Sequence, residues 1–450
     1  MKKTISAVVI TFIFSNTCWA ADNAALEKQV QKLIQQNKQL QERISNLENL
    51  VGTAGVGKRL KRVVKAEKTE KDLAQQPTGP AVDSITERLR QVESVLEKSR
   101  AAIRPDEEIS PLGPGKSKAQ LGGLIELEAF TKEDFDKSET SDVSLATVEF
   151  SMDVYPTNWS QGRLVFLYEE GEEDDHLLID EGTVTLGNMD KFPATVAIGK
   201  KYLPFGSYLT STISDPLTLE LGETSDSVMQ VDSQVMGMYG SAYVFNGDIS
   251  EIGEDNKIDA YGAALGFANV VENFSYDFGV EWINNIADTD GIGDHLSDTV
   301  NDEINDYVDG FSAHMLMSYG QVNFFAEYVG ALQSFETAEL DFRGKGARPE
   351  ALSFEIGYNT ELLNRDALFT IGYQATEEAL ALGLPEERYL VAMSLGIFDN
   401  TTFSLEWAHD EDYDDGDFSA TCLDDDGNVI GCNGSNNDAD TLTMQLAVEF

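Results

Sequence analysis

The chain has 450 residues, 42% of them hydrophobic, a formal charge of −47 and a mean hydropathy of −0.26. Acidity on this scale makes nucleic acid a poor partner. It reads either as solvated surface or as a field that draws cations toward a pore. Past the N-terminal segment no run of about 18 apolar residues occurs, which excludes helical membrane spans; the apolar material is spread thinly in alternation instead.

Met1-Lys2-Lys3, the apolar run from Ile5 to Phe14 and the small residues Cys18 and Ala20 predict a secretory signal over 1–20, cleaved after Ala20. Over 21–51, Leu26, Leu33, Leu40 and Leu47 recur at heptad spacing with Val30, Asn37, Ile44 and Val51 at the partner phase. That pattern predicts a coiled coil that self-associates into a homo-oligomer or pairs with another helix. Residues 52–81 form a basic linker carrying Lys58, Arg59, Lys61, Arg62, Lys65, Lys68 and Lys71. It is either a solvated tether or a contact for lipid phosphates or anionic cell-wall polymer. A second amphipathic stretch, 82–118, opens with the capping-box pair Ser84 and Glu87 and breaks between Pro105 and Pro114.

From 119 to 450 the hydrophobic period changes from helical to two. Strands are predicted near 121–130, 143–154, 162–169, 177–187 and 194–202. Further strands follow near 237–245, 258–268, 274–283, 310–319, 322–331, 352–360, 367–375, 388–398, 401–409 and 441–450. In the last of these, Leu442, Met444, Leu446, Val448 and Phe450 share one face, while Thr441, Thr443, Gln445, Ala447 and Glu449 share the other. A strand with one oily and one polar face suits a barrel wall between lipid and a watery lumen. Tyr155 and Trp159, at a strand end, fit an interfacial aromatic girdle in contact with outer-membrane lipid.

Short connections at 319–322, 361–366 and 398–400 alternate with long acidic ones at 284–309, 332–351, 376–387 and 410–440. Short periplasmic turns and long outer loops produce that rhythm. Parity between the two ends requires one more descending strand, and Ser227-Val228-Met229-Gln230-Val231 supplies it. The fold class is therefore an all-β transmembrane barrel of about sixteen antiparallel strands, a number that encloses an aqueous channel. The helical region precedes it on the periplasmic side, and 203–226 becomes a long third loop.

The most distinctive wording surrounds that loop: Gly199-Lys200-Lys201-Tyr202-Leu203-Pro204-Phe205-Gly206, then Ile213-Ser214-Asp215-Pro216-Leu217-Thr218-Leu219-Glu220-Leu221-Gly222-Glu223-Thr224, then Tyr239-Gly240-Ser241-Ala242-Tyr243-Val244-Phe245-Asn246-Gly247. In these blocks, and in its plan from Leu26 to Phe450, the chain resembles the LbtU-type siderophore porins of the Gram-negative outer membrane. The resemblance implies uptake of an iron-loaded siderophore through a barrel without a plug domain, and it transfers no ligand residues.

Read from the residues alone, Lys200 and Lys201 oppose Asp215, Glu220 and Glu223, a set suited to a transverse field at a constriction. A surface loop capped by the same carboxylates is the other reading. Strand phase adds Glu149, Asp153, Arg163, Asp277, Glu281 and Glu327 as lumen-wall candidates, subject to a one-residue register slip that would reverse every one. Cys422 and Cys432, ten apart in one loop of an oxidising compartment, are expected to form a disulfide. His176, His295, His314 and His409 are scattered and make no catalytic set with Asp or Ser, so no enzyme is expected. The runs Asp288-Thr289-Asp290-Gly291 and Asp424-Asp425-Asp426-Gly427 lack full calcium-loop spacing, so neither a metal nor another cofactor is assigned. Besides siderophore uptake, a general cation-preferring diffusion porin and an envelope tether anchored by its barrel fit the same sequence.

Overall fold

The computed structural model describes residues 110–112 and 117–450, apart from 171–176, 190, 254–256, 272 and 424–426. The signal segment, coiled coil, basic linker and nearly all of the second amphipathic stretch lie outside these residues. Ser110–Leu112, in the Pro-rich boundary, forms a short strand against the start of the barrel.

Sixteen long strands make up the barrel among the described residues. The first eight are β1 Ser117–Glu133, β2 Glu139–Thr157, β3 Ser160–Glu169, β4 Leu178–Gly187, β5 Ala194–Tyr202, β6 Ser225–Val235, β7 Met238–Phe245 and β8 Ala260–Val271. They continue as β9 Phe274–Ile283, β10 Gly310–Tyr319, β11 Val322–Ala331, β12 Glu350–Leu362, β13 Arg365–Glu377, β14 Glu387–Phe398, β15 Thr401–Glu411 and β16 Asp438–Glu449. Each pairs antiparallel with the next, and β16 returns to β1 from Leu124↔Glu449 to Glu133↔Asp440. No helix among the described residues is long and apolar enough to cross a membrane. Closure is therefore what pairs every strand edge in hydrocarbon.

The alternation that predicts the strands also sorts their faces. Leu265, Val280, Ile371, Val391 and Met444 point outward and exposed, whereas Ser312, Glu355, Gln374, Glu406 and Thr443 point inward and are buried. Apolar outside and polar inside inverts a soluble protein and matches a wall between lipid and water. Small inward residues Gly262 and Gly266 on β8 leave room for the rings of Tyr243 and Tyr239, which a Cβ at either glycine would strike.

At the long-loop end several connections pack on one another. Leu203, Phe205 and Leu221 join Ile249, Ile286, Ile292, Leu296, Ile304, Phe335, Leu340 and Cys422 in one apolar cluster. A disulfide between Cys422 and Cys432 ties the eighth loop's hairpin into this cap. Asp288, in the Asp-Thr-Asp-Gly run, is committed to structure: it accepts from the amides of Asp248 (3.0 Å) and Ile249 (2.9 Å) and from Asn285 Nδ2 (3.0 Å).

Burial pushes the Asp288 carboxyl up to about 7 against three hydrogen bonds that favour its charge. A raised carboxyl pKa gives stability that is present at low pH and lost as pH rises through the folded value. Relative to wild type, Asp288→Asn is expected to gain local cap stability as pH rises from about 4 to about 7, by at least about tenfold in opening equilibrium. Amide exchange at 248–249 and 284–290 measures it. The buried His295 ring, pushed down to about 4, is common to both proteins and cancels in the comparison.

Candidate constriction site

The third loop does not stand in solvent above the barrel. Gly206 (φ +92°) and Tyr208 (φ +51°) turn the chain inward, and the backbone then runs across the inner wall. Ser207 and Tyr208 donate their amides to Glu327 on β11 at 2.5 and 2.9 Å. Ser211 N and Thr210 Oγ1 donate to Glu355 on β12 at 2.8 and 2.5 Å. Ile213 and Ser214 amides donate to Glu406 on β15 at 2.5 and 3.1 Å. The donor pairs recur every three residues along the loop, and each meets a carboxylate on a different strand.

The physical reason lies in both partners. An irregular segment has backbone amides with no ladder to join, and an enclosed carboxylate is costly unless several donors reach it. Charge-assisted bonds of this kind are about twice as strong as neutral ones. Past Pro216 the loop makes one short helix, α1 Leu217–Gly222, whose first amide donates to Gln374 on β13 at 3.0 Å. Thr218 Oγ1 returns to Glu327 at 3.1 Å, and Leu217 and Leu221 are fully buried. Leu203 N to Thr224 O, 2.9 Å, closes the root of the loop.

Asp215 and Glu220 are exposed on this pinned segment. Asp215 lies within electrostatic reach of Arg388 and Glu406 and, toward β1, of Glu126. Arg388 is held in a fork by Asp410 at 2.7 and 3.0 Å and also faces Glu220 and Glu406. On the wall formed by β2 to β5, Arg163 binds Asp153 at 3.1 Å and Glu181 at 2.5 Å, with Glu149 nearby. Lys201 sits among Asp232, Glu181 and Arg163.

The other sequence candidates fall elsewhere. Lys200, the next residue along β5 from Lys201, takes the opposite phase; it is exposed, and its Nζ reaches Ile179 O at 3.4 Å. Glu223 lies at the exit of the loop, where its carbonyl accepts from Asp290 N at 2.8 Å. Asp277, Glu281 and Glu327 point inward but are covered, with exposures of 2%, 4% and 7%. They surround His314, whose Nδ1 is 3.2 Å from Glu281 and whose Nε2 is 3.9 Å from Asp277.

Glu355, Glu406, Gln374, Arg388 and Asp410 were not singled out from the sequence. A phase signal exists for two of them, since Glu355 alternates with Phe354 and Ile356, and Glu406 with Leu405 and Trp407. Nothing local announces which loop amides they receive.

A closed barrel of sixteen antiparallel strands, apolar outside, with its third loop pinned within, is a porin-like outer-membrane channel fold. No protein-family model matches the chain. It is 27% identical over 347 residues to the UPF0422 protein of Coxiella burnetii, covering 74% of each chain. It is 28% identical over 382 residues to the UPF0422 protein lpg2959 of Legionella pneumophila, covering 79% of this chain and 71% of that one. Among solved structures, the anion-selective porin from Comamonas acidovorans superposes with a TM-score of 0.51 at 10% identity, over 74% of this chain and 100% of that one. That likeness concerns the fold alone.

Glu406→Ala removes the acceptor of the Ile213 and Ser214 amides, two charge-assisted bonds that each contribute roughly 1.5–3 kcal/mol. The segment 213–216 is expected to detach while the barrel stays folded. Exchange of the 213 and 214 amides should rise by at least about tenfold, with unchanged heat-modifiable migration of the folded barrel in detergent gels.

Proposed function

We propose that the protein is an outer-membrane channel whose constriction prefers cations, and that it admits a ferric siderophore or a related small solute. The observation that carries this reading is the pinned third loop, which holds Asp215 and Glu220 in fixed positions inside the wall. Fixed carboxylates in a narrow low-dielectric passage raise the local concentration of cations and repel anions. Arg388 provides a local counter-charge, so the passage also sorts solutes by dipole.

The siderophore assignment is supported by the resemblance of the blocks at 199–206, 213–224 and 239–247, which form the third loop, its first root and the strand β7 beyond its second. The charge of the passage narrows the cargo. A neutral or cationic ferric hydroxamate suits it, whereas a trianionic ferric catecholate would meet Asp215, Glu220 and Glu126 unfavourably. The signal over 1–20 and the coiled coil over 21–51 remain part of the proposal, with the helix on the periplasmic side as a self-association element.

Purified protein in a planar bilayer is expected to show a reversal potential of the cation-selective sign in a potassium chloride gradient. Asp215→Asn combined with Glu220→Gln should lower the cation-to-anion permeability ratio by about twofold or more, and Arg388→Ala should raise it. An unchanged ratio in all three removes these residues from the passage. Saturable block of the current by a ferric hydroxamate supports the siderophore cargo, and conductance with no such block leaves only general diffusion.

A further inference from the structure

Between the third loop and the inner wall lies a group of ionisable side chains that neither conduction nor the outer cap accounts for. Asp277 and Glu281 come from β9, His314 from β10, Glu327 from β11, Tyr239 and Tyr243 from β7, and Tyr208 from the loop itself. Tyr239 donates to Asp277 at 2.8 Å and lies 3.3 Å from His314 Nε2. Glu223 lies in reach of Tyr208 from the loop exit. Three carboxylates and one imidazole are thus buried together. Both ring nitrogens of His314 face carboxylates, an arrangement satisfied when both carry a proton.

Glu327 belongs to this group and to the loop at once. On β10 and β11 it is the cross-strand partner of His314, and it accepts from Ser207, Tyr208 and Thr218. Gly279 on β9 makes room for the imidazole, since a Cβ there would run into the His314 ring and Glu281 Oε1. Glu355 and Glu406, the other two anchors, have no histidine as cross-strand partner: Glu355 lies opposite Phe325 and Gly372, and Glu406 opposite Ala392 and Thr443.

We propose that His314 is the positioning residue of the constriction: its charge keeps Glu327 ionised, and the ionised Glu327 holds the first turn of the third loop against the wall. The carboxylate form accepts from two amides and a hydroxyl through charge-assisted bonds, whereas the acid form has fewer and weaker acceptor sites. Protonating Glu327 costs it acceptor capacity, so acid releases the 207–208 anchor before the barrel itself is disturbed. Removing the His314 cation makes Glu327 easier to protonate and moves that release to higher pH. The inference rests on the channel reading only for its effect on current; the anchoring itself is tested independently.

The test is amide exchange of the full-length protein in detergent between pH 7 and pH 4, corrected for intrinsic rates, in wild type and His314→Gln. Wild type should lose protection at Ser207 and Tyr208 in one step on acidification. His314→Gln should release the same amides at a pH higher by about one unit, and at pH 7 should exchange them about tenfold faster, with Ser211, Ile213 and Ser214 changing much less. Gly279→Ala, which displaces the ring while keeping every charge, should move the profile in the same direction and serves if His314→Gln does not fold. Coincident pH profiles in wild type and the folded variant overturn the proposal. Protection that is lost equally at all three anchors also overturns it. A protein that passes these tests but does not conduct in a bilayer defeats the channel reading and leaves the anchor standing.

Discussion

In hydrocarbon a backbone amide or carbonyl has no water to turn to, and the architecture of the barrel follows from satisfying that requirement. The sheet has to close, and it does so by laying β16 along β1. The C-terminal Phe450 extends the seam: its amide and carbonyl both pair with Gly123, at 3.0 and 2.9 Å. Its ring lies over Gly123, where any side chain would collide with it. The last residue therefore completes a hydrogen-bonded ring rather than fraying from it.

The same rule governs the inside. A long loop entering a barrel brings amides that lack ladder partners, and an inner wall of aliphatic residues would have rejected it. Here the wall presents Glu327, Glu355, Gln374 and Glu406 at the points where the loop passes, and each side of the bargain removes the other's desolvation cost. A loop held this way is fixed to four strands of the wall. The wall carboxylates are engaged in holding the loop, whereas Asp215 and Glu220 on the loop stay exposed.

Much of the barrel was legible because it depends on a local rule with period two. The strand at 227–231, required by parity alone, is part of β6, Ser225–Val235, and the oily phase of 441–450 is the lipid-facing one. The anchorage of the third loop was less legible because its contacts are not local: the loop meets its anchors across 120, 144 and 193 residues of sequence. Lys200 and Lys201 illustrate the difference. As a dipeptide they read as one basic patch, but adjacent residues on a strand face opposite sides, so Lys201 joins Arg163 inside and Lys200 does not. Applying the strand period consistently would have separated them, whereas no period could have matched Glu406 to Ser214.

The net charge of −47 describes the whole chain and does not by itself determine selectivity. What matters is how inward cations are distributed among inward carboxylates. Arg163 is shared by Asp153, Glu181 and Glu149. Arg388 is shared by Asp410, Glu220, Glu406 and Asp215. Each cation is thus outnumbered in its own neighbourhood, and the nearest pairs are already closed by hydrogen bonds. At the separations of such contacts the attraction is of order a few kcal/mol at an effective dielectric near 20, so these cations stay with their partners rather than face a passing anion. Lys201 is likewise shared, by Asp232 and Glu181, and Glu126 on β1 adds to the carboxylates near Asp215. The wall thus uses its cations to hold its own carboxylates in place.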